Sequence, residues 1–81
     1  MSQKKQRAWF VCRSWPDLVS KHYADDAGAG RSLGLDRRVL VKLRAGTPVA
    51  KSTMLKALRS YAGRHEPGLR VAELISDTRA H

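Results

Sequence analysis

Between Asp36 and Gly46 the chain reads DRRVLVKLRAG, and Arg37, Arg38 and Lys42 are the side chains there with chemistry to offer. That chemistry is recognition rather than catalysis. A guanidinium is a rigid fork of N–H donors that matches phosphate oxygens and the O6/N7 edge of guanine, whereas an ammonium is a compact point charge suited to phosphate. The other reactive residue types have simpler readings. Asp25-Asp26 is a carboxylate pair best explained as helix capping. His22, His65 and His81 lack the spacing of metal ligands, and Cys12, inside the apolar run AWFVC, reads as a buried and inert thiol. No nucleophile, base and orienter occur together, and no glycine-rich phosphate loop is present. The chain is therefore expected not to be an enzyme, to need no cofactor and to hold no metal.

Charge sets the class of partner. Sixteen Lys and Arg against seven Asp and Glu give a formal charge of +9, which favours a polyanion and an affinity that falls steeply with salt. The charge is uneven: residues 1–14 carry four basic groups and no acid, and residues 36–64 carry eight against Asp36 alone. An apolar fraction of 42% is enough to fold, and 81 residues are enough for one small domain. A single cysteine excludes an internal disulfide. No apolar stretch reaches the roughly 18 residues that span a bilayer, and no secretory core follows the N-terminal lysines. The expected location is cytoplasmic and nucleoid-associated, with no membrane and no small-molecule ligand.

The elements that must position the basic residues follow from local signals. Residues 1–7 read as a flexible basic arm. Residues 8–13 form a short strand or one helical turn. Pro16 and Asp17 open a helix over about 16–24. Asp25 or Asp26 caps a second helix that runs to Leu33, weakened by Gly28 and Gly30, and Gly34 ends it with a positive φ. Asp36 caps the basic helix, which Gly46 terminates. Leu35, Leu40 and Leu43 share its buried stripe, leaving Arg37, Arg38, Val41 and Lys42 on other faces. Val49 is a core plug. Residues 51–62 form the most helix-favourable window, with Met54, Leu55, Leu58, Tyr61 and Ala62 on one face, and Gly63 stops it. Residues 69–75 fit either a strand or a helix. The expected fold is mostly α, a bundle of four or five short helices with a possible N-terminal strand. A domain at 8–64 is followed by a C-terminal extension at 65–81.

Two short helices meeting at Leu33-Gly34-Leu35, the second basic on its exposed side, make the sequence form of a helix-turn-helix. Residues 33–61, LGLDRRVLVKLRAGTPVAKSTMLKALRSY, resemble the core of the Cro and lambda-repressor-like (XRE-type) helix-turn-helix family. The turn glycine Gly34, apolar Leu35, Leu40 and Leu43, loop glycine Gly46, plug Val49 and opening Ser52-Thr53 carry the resemblance. One departure is Ala29, where that family usually has a bulky apolar residue. The resemblance implies base-edge contacts from Arg37, Arg38 and Lys42, with Val41 beside them near a thymine methyl. It also implies phosphate contacts from Thr47, Lys51 and Ser52. Arg31, Arg44 and the arm residues Lys4, Lys5 and Arg7 are further candidates for phosphate or the minor groove.

The expected function is sequence-specific binding of double-stranded DNA by a transcriptional regulator of repressor type, as a homodimer joined through residues 8–13 and 69–75. One alternative is an RNA or single-strand binder that stacks bases on Trp9, Phe10, Trp15 and Tyr23; packing of those rings in the core is the competing reading. A second alternative is a basic, antitoxin-like module for an acidic protein.

Overall fold

The computed structural model describes residues 9–78. Along the chain run β1 (Phe10–Val11), α1 (Trp15–Ser20), α2 (Asp26–Leu33), α3 (Arg37–Ala45), α4 (Lys51–His65), α5 (Val71–Leu74) and β2 (Ser76–Asp77). The architecture is a small helical bundle with a short two-stranded sheet. β1 pairs antiparallel with β2, Phe10 opposite Asp77 and Val11 opposite Ser76. On its other edge Phe10 exchanges two backbone hydrogen bonds with Val49, at 2.9 and 2.8 Å. The strand expected within 8–13 is thus only two residues long, and it clips the α3–α4 loop and the C-terminal segment to one site.

The core is helical. Trp15, Val19, Ala29, Leu40, Met54, Ala57, Leu58 and Tyr61 are fully or almost fully buried, and Leu43, Val49 and Leu33 join them. Phe10, Val71, Leu74 and Ile75 pack on its edge, so much of the apolar surface at 8–13 and 69–75 has a partner within the chain. Leu35 and Leu55 are half-buried instead of lying in the centre.

Three boundaries differ from the sequence reading. α1 ends at Ser20, not near residue 24. Lys21 and His22 close it with short bonds back to Leu18 and Val19, and Tyr23 then turns toward its neighbours. α4 does not stop at Gly63 but continues to His65. Gly63 needs no left-handed backbone, whereas Glu66 precedes Pro67, and a residue before proline is pushed out of the helical region. Glu66 accordingly sits at φ −142°, ψ 75°. The 69–75 segment resolves into one helical turn, α5, followed by extended Ile75 leading into β2.

Candidate nucleic-acid interface

α3 is placed by residues at its two ends and along its inner side. The Asp36 carboxylate accepts a hydrogen bond from the Arg38 backbone N–H at 2.8 Å, satisfying one of the free donors of the first turn. At the far end Gly46, at φ 79°, lets the chain reverse, and the Thr47 N–H returns to the Lys42 carbonyl at 2.9 Å. Gly34 does the same for α2 at φ 69°, with the Leu35 N–H reaching the Gly30 carbonyl at 3.0 Å. Burial of Leu40 and Leu43 anchors the inner face, contributing about 1.5–3 kcal/mol for each side chain.

The glycine-rich sequence of α2 has a packing cause. A Cβ at Gly30 would lie 2.8 Å from Leu40 Cδ1 and 3.0 Å from the Leu35 carbonyl oxygen. Together with fully buried Ala29, the small residues let α2 seat closely on the start of α3. The same feature that weakens α2 as an isolated helix permits the turn. Ser60 of α4 completes the support by donating its hydroxyl to the Leu33 carbonyl at 2.7 Å, at the end of α2 where carbonyls lack helical partners.

On the outer side Arg37, Arg38, Val41 and Lys42 are all exposed. Val41, at 51% exposure, is the exposed large hydrophobic residue among the described residues. Among the described residues none of the three cations has an ion-pair partner, and neither do Arg31 or Lys51. Arg31 and Arg37 share the rim of an open cleft of about 320 Å³ between α2 and α3, floored by Leu35 and Leu40. Arg44 is committed differently: its guanidinium grips the Asp26 carboxylate through Nε and Nη2, both at 2.9 Å. Asp26 therefore serves α3, while Asp25 is the residue that caps α2, accepting from the Gly28 N–H at 2.8 Å. Thr47, Lys51 and Ser52 are exposed at the loop and the start of α4, whose cap residue Ala50 provides no side-chain bond. Lys51 borders a second cleft, of about 210 Å³, with Phe10, Leu55 and Ile75 rather than sharing the Arg31–Arg37 one. Lys4, Lys5 and Arg7 lie outside the described residues, as does His81.

The aromatic residues serve mostly as packing. Trp15 is fully buried, edge-on to Tyr61 at 6.4 Å. Trp9 and Phe10 are half-buried. Cys12 is buried, and burial pushes its thiol above the ordinary value against the pull of backbone hydrogen bonds from Ser14 and Trp15. Among the described residues no three His, Cys, Asp or Glu side chains gather where a metal ion could be held, and no helix is long and apolar enough to cross a membrane.

Sequence reasoning missed the Asp26–Arg44 pair and a cluster of rings around His65. The first could have been found as opposite charges on two helices flanking a tight turn. The second joins residues far apart in the chain and leaves no local signal. Compared with family models, with curated proteins and with solved structures, the chain matches none.

Proposed function

We propose that this protein binds double-stranded DNA in a sequence-dependent way, inserting α3 into the major groove, and that it acts as a transcriptional regulator of repressor type. The observation that carries the reading is the outer face of α3. Three cations with no ion-pair partner among the described residues and one exposed valine project from a helix whose opposite side is locked into the core. A free guanidinium can bond guanine O6 and N7 together, and a branched apolar tip can meet a thymine methyl; each good bidentate contact discriminates by about 1–3 kcal/mol. The helix-turn-helix arrangement and the resemblance of residues 33–61 to Cro and lambda-repressor-like proteins support the same reading.

In this account Arg37, Arg38, Val41 and Lys42 face base edges. Arg31, at the cleft beside Arg37, and Thr47, Lys51 and Ser52 face phosphates, with Lys4, Lys5 and Arg7 as further backbone contacts. Arg44 has a smaller part, since Asp26 already offsets its charge. A single module of this size covers few base pairs, so a homodimer on a two-fold site, with half-sites about 34 Å apart, fits the reading. A cytoplasmic, nucleoid-associated location belongs with it. The full burial of Trp15 favours a duplex over stacking on single strands.

The test is binding to a random duplex library and to matched single strands over a range of salt. Selection of one palindromic duplex sequence is expected. Arg37→Ala should then relax preference at one base pair by about 1–3 kcal/mol, whereas Lys51→Ala should weaken all duplexes alike and reduce the salt slope by about one. Equal affinity for random single strands, or no salt-sensitive nucleic-acid binding, refutes the proposal. Retained specificity in Arg37→Ala refutes the docking of α3.

A further inference from the structure

A second cluster lies where the end of α1 meets the last turn of α4. The His22 and His65 rings are stacked, centroids 3.9 Å apart and only 9° from parallel. Tyr23 stands edge-on to His65 at 5.3 Å, and its hydroxyl is bonded both to His65 Nε2, at 2.5 Å, and to Ser32 Oγ, at 2.7 Å. Ser32 belongs to α2, so one hydroxyl joins the ends of three helices. Tyr61 tilts against both imidazoles, at 5.8 and 5.3 Å, and donates its own hydroxyl to Glu66 Oε2 at 2.6 Å.

The balance of charge around the rings is one-sided. Lys21 flanks them from the end of α1 and Arg64 from α4. From α2 the cluster receives only the neutral Ser32 hydroxyl. Glu66 is the acid at the site, and it is already bonded by Tyr61 and lies 4.0 Å from Lys21 Nζ. One imidazolium is tolerable here, because Nε2 of a charged His65 can still donate to the Tyr23 oxygen. A second is disfavoured, since two like charges would face each other across the ring stack while Glu66 already serves Tyr61 and Lys21, and exposed His22 has solvent as its main compensation.

We propose that the stacked His22–His65 pair is a proton-operated clasp on the ends of α1, α2 and α4, closed while at most one ring is charged and opened when both are. Opening breaks the Tyr23 bonds and frees the last turn of α2, which leads directly into Gly34. The clasp does not depend on what α3 binds. Its direction in pH follows from the environment of His65, which burial, then His22 and Arg64, hold below the usual histidine value against the opposing pull of Glu66. The unfolded chain therefore takes up the proton first. Stability is full above the unfolded histidine value of about 6.5, is lost as pH falls below it, and levels off beneath the folded value.

The experiment is a nuclear magnetic resonance titration of the two imidazoles in the intact protein, paired with thermal melts between about pH 7.5 and pH 5.5. His65 is expected to take up its proton below the ordinary histidine value. The wild-type melting temperature falls across that window, and the fall is smaller in His22→Phe, which keeps a ring for stacking but carries no proton. A His65 ring that titrates at the ordinary histidine value overturns the proposal, as does a His22→Phe protein that loses stability as steeply as wild type. Should His22→Phe fail to fold, the wild-type titration decides alone.

Discussion

Replacing Gly28 and Gly30 by alanine, one at a time, should move stability in opposite directions although both lie in α2. Alanine is the better helix former by roughly 0.5–1 kcal/mol, and at Gly28 that gain is free to appear. A Cβ there would meet only Asp25 Oδ1, at an ordinary 3.4 Å, and the N–H that bonds the cap is unchanged. At Gly30 the same methyl would sit 2.8 Å from Leu40 Cδ1 and 3.0 Å from the Leu35 carbonyl oxygen. Leu40 is 1% exposed and has little room to move away, and the carbonyl belongs to the backbone of the turn. Overpacking of this kind costs about 1–3 kcal/mol, which exceeds the propensity gain and leaves a net loss of roughly 0.5–2 kcal/mol. Since 1 kcal/mol shifts the midpoint of a domain this size by about 4–8 °C, Gly28→Ala should melt roughly 2–8 °C above wild type and Gly30→Ala roughly 2–16 °C below it. Thermal unfolding followed by far-ultraviolet circular dichroism reads both. A Gly30→Ala protein as stable as Gly28→Ala would refute the close seating of α2 on α3 and with it the physical account of the turn.

Two further expectations concern buried titratable groups. The Tyr61 hydroxyl is held well above its ordinary ionisation range by burial and by its bond to Glu66. Because the folded value is raised, its contribution is fully present below the unfolded value near pH 10 and is lost as pH rises toward the folded one; tyrosinate absorbance should show one tyrosine ionising only together with alkaline unfolding, and early titration of both tyrosines would contradict this. Cys12, buried and with its thiol pushed up, should react with a thiol reagent far more slowly in the native protein than in denaturant, and equal rates in the two states would place it at the surface.

How far each feature was legible depends on the range of the interactions behind it. α3 was readable almost to the residue. Its cap Asp36, its closing glycine Gly46, the Gly34 turn that precedes it and its leucine spacing act within a few residues of one another. The outward placement of Arg37, Arg38, Val41 and Lys42 followed from the same periodicity. α4 was legible as a helix, but its end was not, because Gly63 reads as a stop in isolation while the effective terminator is the constraint that Pro67 places on Glu66. Arg44 looked like one more free cation until the fold brought Asp26 within 2.9 Å.

The sequence by itself determined a basic, mostly helical chain with a capped helix between two glycine turns, because charge, capping and helical period are properties of neighbouring residues. Tertiary structure alone decided why α2 is small-residue-rich, which requires Leu40 at the position where a Gly30 Cβ would be. It also decided that Phe10 pairs with both Val49 and Asp77, and that Tyr23 joins His65, 42 positions away, to Ser32. Such contacts form only after the helices have packed, when side chains from distant segments compete for the same space, and no window of sequence records the outcome of that competition.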